Sequence, residues 1–111
     1  MIRKIDSHEL EVLDRVLAVG AKGEISNAVL SSTSALNVTA QCQCGCATVW
    51  FGPKGDAASG RIVAESFGSA NGENVEVIVW MDDGVLVGLE IVGGLQPPLP
   101  SIESIQAYPA P

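Results

Sequence analysis

The chain has few of the side chains that nucleic-acid sites and acid–base catalysts use. Only six of its 111 residues are Lys or Arg and one is His, and the formal net charge is −7. Affinity for a phosphate backbone comes from clustered Lys and Arg, so no nucleic-acid partner is expected. A single histidine leaves few acid–base options. No catalytic residue and no cofactor motif can be named, and an enzyme is the function with the least support.

Long apolar runs are also missing. No run approaches the roughly 20 residues that a membrane helix needs, so no membrane partner is expected. The basic start is followed by Asp6, Glu9 and Glu11 instead of an apolar segment. This pattern is unlike a signal peptide and predicts a cytoplasmic protein, in which cysteines are thiols. Hydrophobic residues make up 47% of the chain, and its length suits a single domain over residues 1–111.

Residues 6–35 have the spacing of two helices. Asp6 fits an N-cap position and Glu9 follows three residues later, which is the pattern of a capping box. Apolar residues then recur every three or four positions as far as Gly20 and predict one buried stripe. Residues 24–35 keep helical spacing over a shorter run and predict a second helix.

The apolar period changes to two at residue 36, which is typical of half-buried strands. Residues 36–92 therefore predict an antiparallel sheet, in which one hairpin has the cysteines at its tip. Residues 93–111 form a Pro-rich C-terminal tail. The predicted fold class is α+β, with two N-terminal helices packed on one face of a four- or five-stranded antiparallel sheet.

A second hairpin is predicted for residues 75–92. Its two sets of alternating apolar residues must share one face of the sheet, and this requirement restricts the register. The prediction places a three-residue loop at 82–84, where Gly84 suits the left-handed position of a G1 bulge. The predicted pairs are Met81–Val85, Val79–Val87, Val77–Leu89 and Val75–Ile91.

The other face of this hairpin carries the predicted interaction site. The same register places Glu76 opposite Glu90, Ile78 opposite Gly88 and Trp80 opposite Leu86. Two facing carboxylates repel, and they are interpreted as pointing into water near a sheet end; a proton-sharing or metal-binding pair is the alternative. The all-aliphatic face is expected to carry the helices, which leaves the opposite face to a protein partner or a second copy. The candidate partner-binding residues are Trp80, Ile78, Leu86 and Trp50.

Cys42, Cys44 and Cys46 are spaced by single residues. Three thiolates and a fourth ligand such as His8 would suit zinc, but on a regular strand this spacing holds the sulfurs too far apart. A bend at Gly45 would be required. The favoured interpretation is that the cysteines are small buried residues, and no metal ligand is assigned.

The Cys42-Gln-Cys44-Gly-Cys46 segment, the Trp-Phe strand and Asp83-Gly84-Val-Leu-Val-Gly-Leu89-Glu90 carry a resemblance. Together they resemble a group of small bacterial proteins with a Cys-x-Cys-Gly-Cys centre and a later "DG-x-L-x-x-LE" hairpin. The resemblance spans most of residues 8–100. It implies a stand-alone small domain, and it implies no activity.

The resulting hypothesis is a non-catalytic protein-interaction or self-associating module, with a possible homodimer. One alternative is a small-molecule or metal-binding domain that uses the three cysteines. Another is an immunity-like or antitoxin-like acidic partner of a basic protein, which only the size and the net charge of −7 support.

Overall fold

A capping box starts the first helix of the computed structural model, which describes residues 2–56 and 60–108. The Glu9 amide donates to the Asp6 carboxylate over 2.8 Å, and the Asp6 amide donates to Glu9 Oε1 over 3.0 Å. This reciprocal pair satisfies two amides that a helix start leaves free. The helix α1 runs over Ser7–Val19 and ends at Gly20, as the sequence predicts.

The second helix is short, also as predicted. It spans Asn27–Ser32 (α2), and a 3₁₀ turn at Thr33–Ala35 follows it. The strands are β1 (Arg3–Lys4), β2 (Asn37–Val38), β3 (Ala40–Gln41), β4 (Val49–Trp50), β5 (Arg61–Ala70), β6 (Glu73–Asp82) and β7 (Val85–Val92). A second 3₁₀ turn occupies Ile102–Ser104.

Five strands form one antiparallel sheet in the order β3-β4-β7-β6-β5, while β1 and β2 pair in a separate two-stranded sheet. The fold class is therefore confirmed as α+β, with two helices and a five-stranded antiparallel sheet. The small sheet was not predicted, because two-residue strands leave no periodic pattern to read. Across the described residues, no helix is long and apolar enough to cross a membrane.

The core lies between the helices and the aliphatic face of the sheet, here called the inner face. Val12, Leu13 and Val16 of α1 share one buried cluster with Val77 and Val79 of β6. The first helix thus covers the aliphatic face as predicted, whereas α2 has no buried residue and packs mainly against the 3₁₀ turn that follows it. The opposite side of the sheet, called the outer face, carries Trp50, Ile78, Trp80, Gly88 and Glu90.

The predicted register of the last hairpin is wrong by two residues. Val79 pairs with Leu89 and Val77 with Ile91, whereas the turn is a two-residue Asp83-Gly84 turn with φ values of 51° and 79°. An irregularity in the pairing follows the turn and leaves Val87 as an extra residue. The bulge restores the shared apolar face that a two-residue turn alone would have broken.

The corrected register changes every predicted pair on the outer face. Trp80 lies opposite Gly88, Ile78 opposite Glu90, and Glu76 opposite Val92. The predicted Glu76–Glu90 pair therefore does not form. Leu86 pairs with Met81 and is buried in the core, so it does not belong to the outer face.

The C-terminal segment is docked on the sheet as far as the structure describes it. Pro100 and Ile105 are fully buried, and Gln106 pairs with Phe67 of β5 through backbone hydrogen bonds of 2.9 and 3.1 Å. The phenol of Tyr108 donates to Glu76. Residues 109–111 of the predicted tail lie outside the described residues.

Candidate functional site

The three cysteines occupy a turn between β3 and β4. The Gly45 amide donates to the Cys42 carbonyl over 3.3 Å, and Gly45 has φ +95°, a conformation that side-chain-bearing residues rarely adopt. The bend at Gly45 that chelation requires is therefore present. It gathers the three sulfur atoms to within 4.8 Å of one another.

Contacts inside the turn are directed at sulfur. The Cys46 amide donates to Cys44 Sγ over 3.3 Å, and the Cys42 and Cys44 sulfurs lie 2.6 Å apart. A backbone amide that points at a sulfur stabilises its thiolate, the form that binds metals. Cys44 is exposed and the other two thiols are half-buried, so the interpretation of the cysteines as buried core residues does not describe their positions.

Thr48 connects the turn to the sheet. Its hydroxyl oxygen is buried, accepts the Ile91 amide of β7 over 2.9 Å, and accepts the Cys46 thiol over 3.3 Å. The first strand residues after the turn are thus fixed against β7. Thr48 is a positioning residue that the sequence did not reveal, since a threonine in a β-rich segment is unremarkable.

Residues 93–97 hold the turn from the other side. The Ala47 amide donates to the Pro97 carbonyl over 2.9 Å, and the Gln96 side-chain amide donates to the Cys44 carbonyl over 2.8 Å. The Gly93-Gly94 pair marks a change of chain direction in the sequence. Only the pairing of β4 with β7, which the sequence does not specify, shows that this second loop lies beside the cysteines.

The two loops and the outer face enclose an open cleft of about 500 Å³. Its lining includes the three cysteines, Thr48, Trp50, Glu90, Leu95 and Pro97. The three cysteines and Trp50, one of the predicted interaction residues, therefore line the same cleft. Glu90 lines it too, although the sequence had suggested for Glu90 only a pairing with Glu76.

Trp80 lies next to the cleft but is not one of the residues that line it. Its indole N–H donates to Glu90 Oε1 over 2.9 Å, which holds the carboxylate in place. Ile78 of β6 is paired with Glu65 of β5 on one side and with Glu90 of β7 on the other, and it is buried. Of the four predicted interaction residues, Trp50 and Trp80 remain partly exposed, Ile78 is covered, and Leu86 is in the core.

The thiols differ in acidity. Hydrogen bonds with the Cys42 and Cys46 side chains raise the pKa of Cys44 from 9.0 to about 11, and they outweigh the opposite effect of the Cys46 amide. Burial raises the pKa of Cys46, but hydrogen bonds with Thr48 and with the neighbouring thiols outweigh burial, so the pKa of Cys46 lies below 9.0. Adjacent thiols that share protons in this way lose them together when a cation replaces the protons.

His8 does not reach the cluster. It is exposed in the first turn of α1, and its Nε2 atom lies 3.1 Å from the Pro100 carbonyl oxygen. The possibility that His8 supplies a fourth metal ligand is therefore wrong. Within the described parts of the chain, no other His, Cys, Asp or Glu joins the three thiols in a ligand group.

A comparison of the chain with protein-family models found no match, and searches of curated proteins and of solved structures found none either.

Proposed function

We propose that the protein is a metal-binding module that holds one thiophilic metal ion through Cys42, Cys44 and Cys46. The observation that carries the proposal is the convergence of three thiols to within 4.8 Å on a turn whose Gly45 adopts φ +95°. Thiolates select soft or borderline cations such as Zn²⁺ and Cu⁺. A catalytic or exchangeable zinc site has three protein ligands and one open position, and this ligand count fits it.

The surroundings of the thiols support binding of a cation. The Cys46 amide donates to Cys44 Sγ, and Thr48 contacts Cys46, so two of the three sulfurs have oriented neighbours. Such contacts around a ligand typically account for a 10- to 100-fold difference in metal affinity. The net charge of −7 further favours a cation over an anion.

Zinc titration of the reduced, metal-free protein tests the proposal. One equivalent of Zn²⁺ is expected to bind and to protect all three thiols from a chromogenic disulfide reagent. Each of Cys42→Ser, Cys44→Ser and Cys46→Ser is expected to weaken binding by about 100-fold, since each removes one of a few strong bonds. Circular dichroism of the variants establishes that they remain folded. Three reactive thiols in the presence of excess zinc would overturn the proposal.

Association with a protein through the outer face is the second candidate, and exposed apolar side chains in and beside the cleft favour it. Leu95 is 95% exposed and Val92 is 41% exposed, while Trp80 is partly exposed on the same side of the sheet. Single exposed apolar residues are common, but neighbouring ones indicate an interaction surface. Sedimentation of wild-type protein and of Trp80→Asp tests the self-associating form. A dimer that the substitution dissociates would support it, and a wild-type monomer would end it.

A further inference from the structure

A metal ion on the three cysteines would keep one coordination position open as far as the described residues go. The cluster contains three sulfurs, and no further His, Cys, Asp or Glu of the described residues belongs to it. Zinc bound by thiolates is usually four-coordinate. A fourth ligand can then be supplied from outside, and the cleft in front of the thiols gives it a route to the metal position.

The size of the cleft suits a small molecule. Its volume of about 500 Å³ falls in the range of ordinary ligand pockets, roughly 300–1,000 Å³. Trp50, Leu95 and Pro97 provide apolar surface, while the thiols and Glu90 provide polar groups. A ligand in this cleft can therefore contact the metal position and a carboxylate at the same time.

The charge of the cleft favours a cationic ligand. Three thiolates and one divalent cation together carry a charge of −1, and Glu90 adds another negative charge. Of the six Lys and Arg residues, all within the described ranges, none lines the cleft. Trp80 donates to Glu90 Oε1, which leaves Glu90 Oε2 without a partner among the described residues. An ammonium group therefore has a carboxylate oxygen to bind.

We propose that the cleft binds a small aminothiol, a molecule that carries a thiol and an ammonium group a few bonds apart. This inference rests on the metal-binding function proposed above. On binding, the thiol proton leaves to solvent, the sulfur forms the fourth bond to the metal ion, and the water held there is released. The ammonium group pairs with Glu90, and the carbon chain lies against Trp50.

The test uses protein loaded with Co²⁺, whose thiolate absorption bands report the number of bound sulfurs. Three thiols of matched length are titrated at neutral pH: cysteamine, 2-mercaptoethanol and 3-mercaptopropionate. All three carry the thiol two carbons from the variable group, which is a cation, a neutral hydroxyl or an anion. Because this group also changes the acidity of the free thiol, the affinities are compared per thiolate. Cysteamine is expected to bind about fivefold more tightly than mercaptoethanol, the effect of one partly exposed charge pair, and mercaptopropionate more weakly than either.

Two variants test whether the Glu90 carboxylate causes the preference for cysteamine. Glu90→Gln is expected to leave the Co²⁺ spectrum unchanged and to abolish the preference for cysteamine. Glu11→Gln removes the same charge from an exposed position of α1 and is expected to keep the preference. If Glu90→Gln weakens Co²⁺ binding as much as a cysteine variant does, Glu90 is itself the fourth ligand and the inference is overturned.

The failure of this inference is distinguishable from failure of the metal site. Thiolate bands that form with Co²⁺ but do not change with added thiols, or that change equally for all three, would refute the aminothiol and leave the metal site intact. An absence of thiolate bands would refute both.

Discussion

The indole ring of Trp50 lies across the backbone of Gly88, so close that a methyl group at position 88 would overlap its Cε3 and Cζ3 atoms. The two residues are directly paired on β4 and β7. Trp80 faces Gly88 from the other side, on β6. A glycine between two tryptophans therefore allows one aromatic ring to lie flat on the sheet and form a wall of the cleft.

Gly88→Ala is expected to destabilise the fold by about 1–3 kcal/mol, because Trp50 must move or the strands must separate. Urea denaturation measures the change. In a Trp50→Ala background the same substitution should have a much smaller effect, as a double-mutant cycle would show. Gly23→Ala is the control, since a methyl group there would meet nothing within 4 Å. Equal losses with and without Trp50 would contradict the contact.

Gly45→Ala is expected to weaken zinc binding by about tenfold, with a smaller effect on stability. The backbone at Gly45 has φ +95°, and a Cβ atom there would lie 3.0 Å from Gln96 Nε2, so the bend that gathers the thiols would relax. Isothermal titration with Zn²⁺ measures the change. Gly84→Ala places a comparable strain, at φ +79°, in an open hairpin turn. That variant should lose stability and keep its zinc affinity.

The thiols of the metal-free protein are expected to ionise in a set order as the pH rises. The pKa of Cys46 is lowered and that of Cys44 is raised to about 11, so Cys46 ionises before Cys44. Thiolate ultraviolet absorbance measured against pH should therefore rise in separate steps. Cys46→Ser should remove the early step, and Cys44→Ser the late one. A single step near the pKa of an isolated thiol would contradict this coupling.

Tyr108→Phe is expected to loosen the C-terminal segment and to reduce stability by less than about 1 kcal/mol, because the phenol is 43% exposed. Partial burial and the hydrogen bond to Glu76 raise the pKa of Tyr108 above 10.0. The stabilisation is thus fully present below pH 10 and is lost as the pH rises through the raised value. Amide exchange at Gln106 and urea denaturation at several pH values measure both effects. A stability difference that grows above pH 10 would contradict this assignment.

The helices could be predicted from the sequence because the residues that define them are close together in the chain. Asp6 and Glu9 lie three residues apart, and their reciprocal bonds form as the pattern predicts. Glutamate is rarely buried, yet Glu9 is 4% exposed and paired with Arg3 over 2.7 Å. That pairing depends on β1, whose two residues show no pattern in sequence.

The hairpin shows where local reasoning failed. Alternation in β6 and β7 correctly required Val79 and Leu89 to share a face. A three-residue loop and a two-residue turn followed by a bulge at Val87 both satisfy this alternation. The sequence pattern therefore did not distinguish them. With the two-residue turn and the bulge, Trp80 lies opposite Gly88 and Leu86 is buried in the core.

The site could be predicted only in part. The need for a bend at Gly45 was visible in the spacing of the cysteines. The contribution of Glu90 and residues 93–97 was not, since it arises from the pairing of β4 with β7 about 40 residues later in the chain. The proximity of Trp50 to the thiols follows from the same long-range pairing.

The support that residues 93–97 give to the cysteine turn has a consequence for biosynthesis. The Cys44 carbonyl is hydrogen-bonded to the Gln96 side chain, and the Ala47 amide to the Pro97 carbonyl, across about fifty intervening residues. During synthesis the three cysteines leave the ribosome well before residues 93–97, which hold the turn in place. The thiol cluster therefore reaches its final geometry only after residues 93–97 have left the ribosome. A chain that stops before Gly93 would lack the two hydrogen bonds that hold the cysteine turn.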